Sequence, residues 1–115
     1  MRKLAPLVVV ASLAAIAVVG VPTYAAPYGT GTKHVSVRNN SFAPKSLSIE
    51  EGTKVVWTWT DGGVPHNVTP ANGKPGSATS SKKGFRFSKV FKKKGTFKYV
   101  CTIHPGTMKM TVKVH

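Results

Sequence analysis

The stretch FKYVCTIHPGTMKMTVKV, residues 97–114, decides how the rest of the chain is read. Phe97, Tyr99 and Cys101 fall on one parity; Met108, Met110, Val112 and Val114 fall on one parity too, with Lys109, Thr111 and Lys113 opposite. A period of two is that of a half-buried strand and not of a helix. The pattern predicts a strand from Thr96 to Cys101, a second strand beginning near Met108, and between them a short loop, Thr102 to Thr107, carrying His104, Pro105 and Gly106. Cys101 is the only cysteine in 115 residues, and it stands at the mouth of that loop.

The same alternation recurs upstream. His34-Val35-Ser36-Val37-Arg38 alternates, and Leu47 and Ile49 flank Ser48. Val55, Trp57 and Trp59 alternate with Val56, Thr58 and Thr60, while Phe85, Phe87 and Phe91 share a parity that Lys89 interrupts. Turn-forming residues separate these runs at Asn39-Asn40, Glu51-Gly52, Asp61-Gly62-Gly63, Pro70 to Ser81 and Lys94-Gly95. Six or more short strands at this spacing, with no convincing amphipathic helix, predict an all-β antiparallel sandwich of two sheets. Trp57, Trp59, Phe85, Phe87 and Phe97 are predicted to fill its core.

Ahead of the strands, MRKLAPLVVVASLAAIAVVGVPTYAA has two cations, a long apolar run and then small residues, the layout of a secretory signal helix. Residues 1–25 are read as that signal and 26–115 as one domain, exported to a periplasmic or extracellular space. Leu4 to Val21 is nearly long enough to span a bilayer, so an uncleaved signal would leave the domain tethered to a membrane. No cysteine follows the run to take a lipid anchor. A domain of roughly 90 residues is near the lower limit for a self-sufficient core. With a single cysteine it has no disulfide framework, which leaves a metal as the natural staple.

Seventeen Lys and Arg against three Asp and Glu give a formal net charge of +14. Lys82, Lys83, Lys89, Lys92, Lys93, Lys94 and Lys98 cluster upstream of the cysteine. Such a field speeds encounters with acidic proteins and attracts membrane surfaces or nucleic acid without specificity. An acidic protein partner and a monomeric carrier of the charge are expected, with no specific nucleic acid bound.

A metal in the Cys101 loop needs a further ligand from elsewhere, and GGVPHNVTP offers His66 just beyond the tryptophan strand. His34, at a strand start, and His115, at the C-terminus, are poorer candidates and are expected in solvent. One thiolate, two imidazoles and a thioether form a soft set, with too few thiolates for structural zinc and no carboxylate for calcium or magnesium. Copper fits best: two histidines and a cysteine near one plane, with a distant methionine, make a blue-copper electron-transfer centre.

The same residues carry a resemblance over nearly the whole exported part. Phe42-Ala43-Pro44, Gly52 leading into Val55 to Trp59, Pro65-His66-Asn67-Val68, Gly95-Thr96-Phe97-Lys98-Tyr99 and Cys101-Thr102-Ile103-His104-Pro105 make the chain similar to cupredoxins of the plastocyanin, amicyanin and pseudoazurin group. The resemblance implies a Greek-key β-sandwich holding one copper ion that alternates between Cu+ and Cu2+. His66, Cys101 and His104 become the in-plane ligands and Met108 the axial one. It further implies that the Asn67 amide points at the Cys101 sulfur and that the Asn67 side chain ties to Thr102. It makes His104, ringed by Pro65, Pro105 and Gly106, the docking edge for an acidic redox partner, either a cytochrome or a copper- or quinone-containing enzyme. Where close relatives often have glycine two positions after the methionine, this chain has Met110, read here as core packing.

Other functions fit less well. A cysteine transpeptidase would need a longer chain and an arginine in the loops, and would leave Met108 without purpose. Multicopper oxidases need paired His-x-His motifs, which are absent from the sequence. A copper-delivery protein on the same fold remains open to the sequence, and separates from an electron carrier on reversible one-electron cycling with the copper retained.

Overall fold

The computed structural model describes residues 31–115, and the expected signal, 1–25, lies outside them. Eight strands follow in order: β1 (Thr32–Arg38), β2 (Ser41–Ala43), β3 (Ser46–Ile49), β4 (Thr53–Trp59), β5 (Thr69–Pro70), β6 (Arg86–Phe91), β7 (Gly95–Val100) and β8 (Lys109–Val114). They form two four-stranded sheets, β2-β1-β4-β6 and β3-β8-β7-β5. The chain changes sheet at every step from β2 to β7, so residues distant in sequence face one another across the core. The described residues contain no helix.

The sheets are mixed, which corrects the antiparallel expectation. β1 runs parallel to β4, from Thr32 opposite Lys54 to Val37 opposite Trp59, and β3 runs parallel to β8. The other four pairings are antiparallel. Alternation in sequence assigns each side chain to a face, but the period of two is the same in both kinds of ladder, so it carries no information about strand direction.

Local chemistry sets the turns. Asn39 and Asn40 join β1 to β2 with φ of 51° and 53°. Positive φ at both central residues is what a two-residue hairpin turn requires, and asparagine tolerates it better than most residues. The Asn39 amide is held by the Asp61 carboxylate at 3.0 Å.

Facing the interior, β1, β2, β4 and β6 contribute Val35, Val37, Phe42, Val55, Trp57, Trp59 and Phe91, all at most 2 % exposed. The opposite sheet answers with Ile49, Tyr99, Met110, Val112 and Val114. Trp57 packs 5.3 Å from Tyr99 and 5.6 Å from Phe87 between ring centroids, and Trp59 meets Phe85 edge-on at 4.7 Å. Phe85, Phe87 and Phe97 pack against this core while remaining partly exposed. Both indoles find a polar partner. Trp59 Nε1 donates to the Ser80 carbonyl at 2.8 Å, and Trp57 Nε1 to Met110 Sδ at 3.2 Å.

Candidate metal centre

Two loops at one end of the sandwich bring the candidate ligands together. Cys101 directly follows β7, one residue later than the strand's end, and β8 opens at Lys109 just after Met108. Between them the chain closes on itself. The Cys101 amide donates to the Met108 carbonyl at 3.0 Å, His104 N to the Cys101 carbonyl at 3.2 Å, and Met108 N to the His104 carbonyl at 2.9 Å. Cys101 and Met108 are thus pinned at the two ends of a ladder rung, with His104 on the turn between. Both are fully buried.

His66 reaches the same place from the loop after β4. Its backbone exchanges two hydrogen bonds with Ser80, each 3.0 Å, so residues 66–80 fold back as an antiparallel clasp. One donor atom each from His66, Cys101 and His104 lie within 4.8 Å of one another. The two imidazole centroids are 5.1 Å apart, and Cys101 Sγ sits 3.8 Å from His104 Nδ1. His34 and His115 are exposed and stand outside this group.

The donors fit a cation. His66 is 1 % exposed, and its Nδ1 is buried without any hydrogen-bond partner in the protein. Buried polar atoms are nearly always paired, so an orphaned imidazole nitrogen beside a thiol and a second imidazole marks an electrophile's place. Burial, reinforced by the His104 charge and opposed by Asp61, holds the His66 pKa below the usual histidine range. The ring is thereby kept neutral, with a lone pair free to bind metal.

Asn67 holds the two loops together. Its backbone N–H donates to Cys101 Sγ at 3.4 Å, and its side-chain Nδ2 to Thr102 Oγ1 at 2.8 Å. Both are the contacts that the family resemblance implies. The structure adds three that the sequence did not suggest: Nδ2 also donates to Thr79 Oγ1 at 2.9 Å, while Oδ1 accepts from Thr69 Oγ1 at 2.8 Å and from the Thr102 amide at 3.0 Å. The Ser77 hydroxyl accepts from Val68 N, and Ser77 N donates to the Val68 carbonyl, both at 2.8 Å. Ser77, Thr79 and Ser80 therefore form a polar strap behind the His66 loop, in a stretch read from sequence as a turn. Gly76 makes the approach possible, since a Cβ there would run into the Val68 carbonyl and the Pro70 ring.

Met110 has the role the sequence reading gave it. It points into the core one register step beyond Met108, and its sulfur accepts the hydrogen bond of the Trp57 indole N–H. His104 is partly exposed, and in the two loops that carry His66 and His104 the residues Pro65, Pro105 and Gly106 are exposed, as are Val64 and Ile103 at 42 % and 43 %. These last two apolar residues were missed, because isolated hydrophobic residues in a loop carry no periodicity.

Comparison with known proteins bears on the identity of the metal. Residues 31–115 match the family of copper-binding proteins that includes plastocyanin and azurin. A halocyanin from Natronomonas pharaonis is 37 % identical over 71 residues, 57 % of this chain and 44 % of its own length. Amicyanin-alpha from Methylorubrum extorquens is 31 % identical over 80 residues, 65 % of this chain and 66 % of its own length. The chain therefore spans less than half of the first relative and just under two thirds of the second. Among solved structures, a purple cupredoxin from Nitrosopumilus maritimus superposes with a TM-score of 0.60 at 31 % identity, covering 72 % of this chain and 99 % of that one. A reduced-state variant of amicyanin gives 0.61 at 30 %, over 73 % and 82 %. The family match, the cupredoxin fold and a soft His, Cys, His cluster with a buried methionine alongside agree on one copper ion, and the chain belongs to the plastocyanin/azurin family of copper-binding proteins.

Proposed function

We propose that this protein is an exported carrier of single electrons, with one copper ion held by His66, Cys101, His104 and Met108. In this reading residues 1–25 direct export and 26–115 are the working domain. Copper supplies the one-electron couple, and everything else belongs to the protein. The carrying observation is the buried, unpartnered Nδ1 of His66 beside Cys101 Sγ and the His104 ring. Soft thiolate and thioether donors suit the reduced ion, and imidazoles suit both states, so neither is rejected.

The burial of the donors favours a carrier over a delivery protein. Cys101 and Met108 are fully buried, and His66 nearly so, leaving only His104 within reach of a receiving protein that would take over ligands one at a time. The ligands sit on strand ends tied by backbone hydrogen bonds, so little has to move when charge changes. Amicyanin variants have been solved, one in a Cu(I) form and another oxidised, which supports both states on this fold. His104 is the ligand nearest solvent, and the apolar rim of Val64, Pro65, Ile103 and Pro105 suits a partner's own apolar edge. The lysine field steers an acidic partner, a cytochrome or a copper- or quinone-containing enzyme.

The test is reconstitution of the purified domain with copper(II). An intense visible charge-transfer colour is expected, bleached by one electron per protein and restored on reoxidation, with copper retained through repeated cycles. A colourless adduct, or copper lost on reduction, refutes the carrier. Reduction by an acidic redox protein should slow as salt rises past the level where the Debye length is about 8 Å. A salt-independent rate removes the lysines from docking.

A further inference from the structure

The sandwich is not closed on all sides. β6 is the last strand of its sheet, and in the other sheet β5 covers only Val100 and Tyr99 of β7. Between these two edges lies a groove of about 960 Å³. Its floor is aromatic, made by Phe87, Phe91, Phe97 and Tyr99, and its rim carries Lys74, Lys89, Lys92, Lys93 and Lys98. None of the chain's three acidic residues lines it. Lys89 lies on the inward parity of β6, between Phe87 and Phe91, and bends out so that its Nζ stands 5.6 Å from the Phe91 ring centroid. Val90, 42 % exposed, adds an apolar lip.

We propose that this groove is an anchoring site for an extended acidic segment of a partner protein, with carboxylates on the lysine rim and one apolar side chain against the aromatic floor. The charge is complementary to acid and to nothing else, and five lysines without a neighbouring carboxylate repel one another until an anion arrives. The concave form excludes a flat membrane surface from the floor. Phe91 and Tyr99 are each 2 % exposed, so only Phe87 and Phe97 of the floor offer open ring surface, too little for a run of stacked nucleobases. A single apolar side chain on a polypeptide needs no more surface than the part-exposed Phe87 and Phe97 provide.

The groove is separate from the copper end. None of the candidate ligands or the residues of the His104 loop lines it, and it runs from Tyr99, about 7 Å along the strand from Cys101, to Thr96, about 17 Å away at the rise of an extended chain. A segment anchored there leaves the His104 rim open. Tethering raises the effective concentration of the rest of the partner near that rim without any new contact to it. The inference does not depend on the redox reading, because an acidic segment binds the groove whatever the copper does.

The copper(I) protein, isotopically labelled for NMR, is titrated at low salt with a synthetic nonapeptide of glutamates around one central tryptophan. Amide shifts are expected at Lys74, Phe87, Val90, Thr96 and Lys98, with binding lost at high salt. The double variant Lys92→Glu with Lys93→Glu, both exposed, should weaken binding about tenfold, the reversal of two surface charge contacts. Its visible colour after oxidation should match the parent and so report an intact fold. Shifts confined to the His104 loop, or spread evenly over the cationic surface, overturn the proposal. So does equal affinity for an all-glutamate peptide, since the aromatic floor would then have no role. Binding to phosphatidylglycerol vesicles without binding to the peptide overturns it in favour of a membrane occupant.

Discussion

Replacing Asn67 by alanine removes four side-chain hydrogen bonds at once: two donated to Thr79 and Thr102, two accepted from Thr69 and Thr102. A typical intramolecular hydrogen bond contributes about 0.5–1.5 kcal/mol net. Thr79 and Thr102 are exposed, so their hydroxyls can turn to water, and the full sum is not lost. The Thr102 amide is less free to do so. A loss of about 2–3 kcal/mol follows, which in a domain of this size lowers Tm by about 10–20 °C at roughly 4–8 °C per kcal/mol. The backbone N–H that meets the Cys101 sulfur survives the substitution, so the sulfur keeps its donor while the loops lose their clamp. Metal affinity should fall by about 10–100-fold, as it does when groups orienting a ligand are removed. Calorimetry of the metal-free and copper-loaded forms, with a competitive chelator titration, measures both effects. A Tm within about 3 °C of the parent and an unchanged chelator midpoint refute the idea that Asn67 joins the two loops.

Three further substitutions and one titration probe separate parts. Met110→Leu leaves the Trp57 indole N–H buried without its sulfur acceptor and should cost about 1–3 kcal/mol in denaturant unfolding, with the visible spectrum unchanged. Met108→Leu should alter the spectrum and the potential instead, and the reverse outcome exchanges the two methionines. Gly76→Ala drives a methyl into the Val68 carbonyl and should cost about 1–3 kcal/mol while slowing copper uptake, because the strap supporting His66 is displaced; a Tm equal to the parent's removes the strap from the site's support. Burial pushes the Tyr99 phenol up to about 12, so the folded protein holds that proton where the unfolded chain loses it near 10. Its contribution is intact below pH 10 and disappears as pH rises from there to about 12, readable as late phenolate absorbance and a falling unfolding midpoint; ionisation of every tyrosine near 10 contradicts it.

What the sequence made legible follows from what periodicity can encode. Strand faces were clear wherever a core side chain recurred every second residue, as in Val55, Trp57 and Trp59 or Met108, Met110 and Val112. The mixed sheets were not, because β1 meets β4 and β3 meets β8 only through crossings whose direction leaves no trace in alternation. In the site, the cluster of His66, Cys101 and His104 was readable because metal chemistry restricts residue type so severely. The strap of Ser77, Thr79 and Ser80 was hidden for the opposite reason. It acts largely through backbone groups and hydroxyls that many sequences could supply, so nothing in Gly76-Ser77-Ala78-Thr79-Ser80 distinguishes a support from a surface turn.

The placement of the proposed ligands also bears on how so small a domain remains folded without a disulfide. Cys101, His104 and Met108 lie on one hairpin of the β3-β8-β7-β5 sheet, whereas His66 follows β4 of the opposite sheet. In the metal-free protein the bridge between them consists of the Asn67 network and a histidine nitrogen with no partner. An ion bound to all of them closes a loop of some 35 residues between His66 and Cys101, and it adds stability as a ligand that binds only the folded state. The cost of burying an unpaired imidazole is then offset on loading, so the apo protein should be the looser form, and its looseness should be confined to the end of the sandwich where the two sheets depend on side chains to meet.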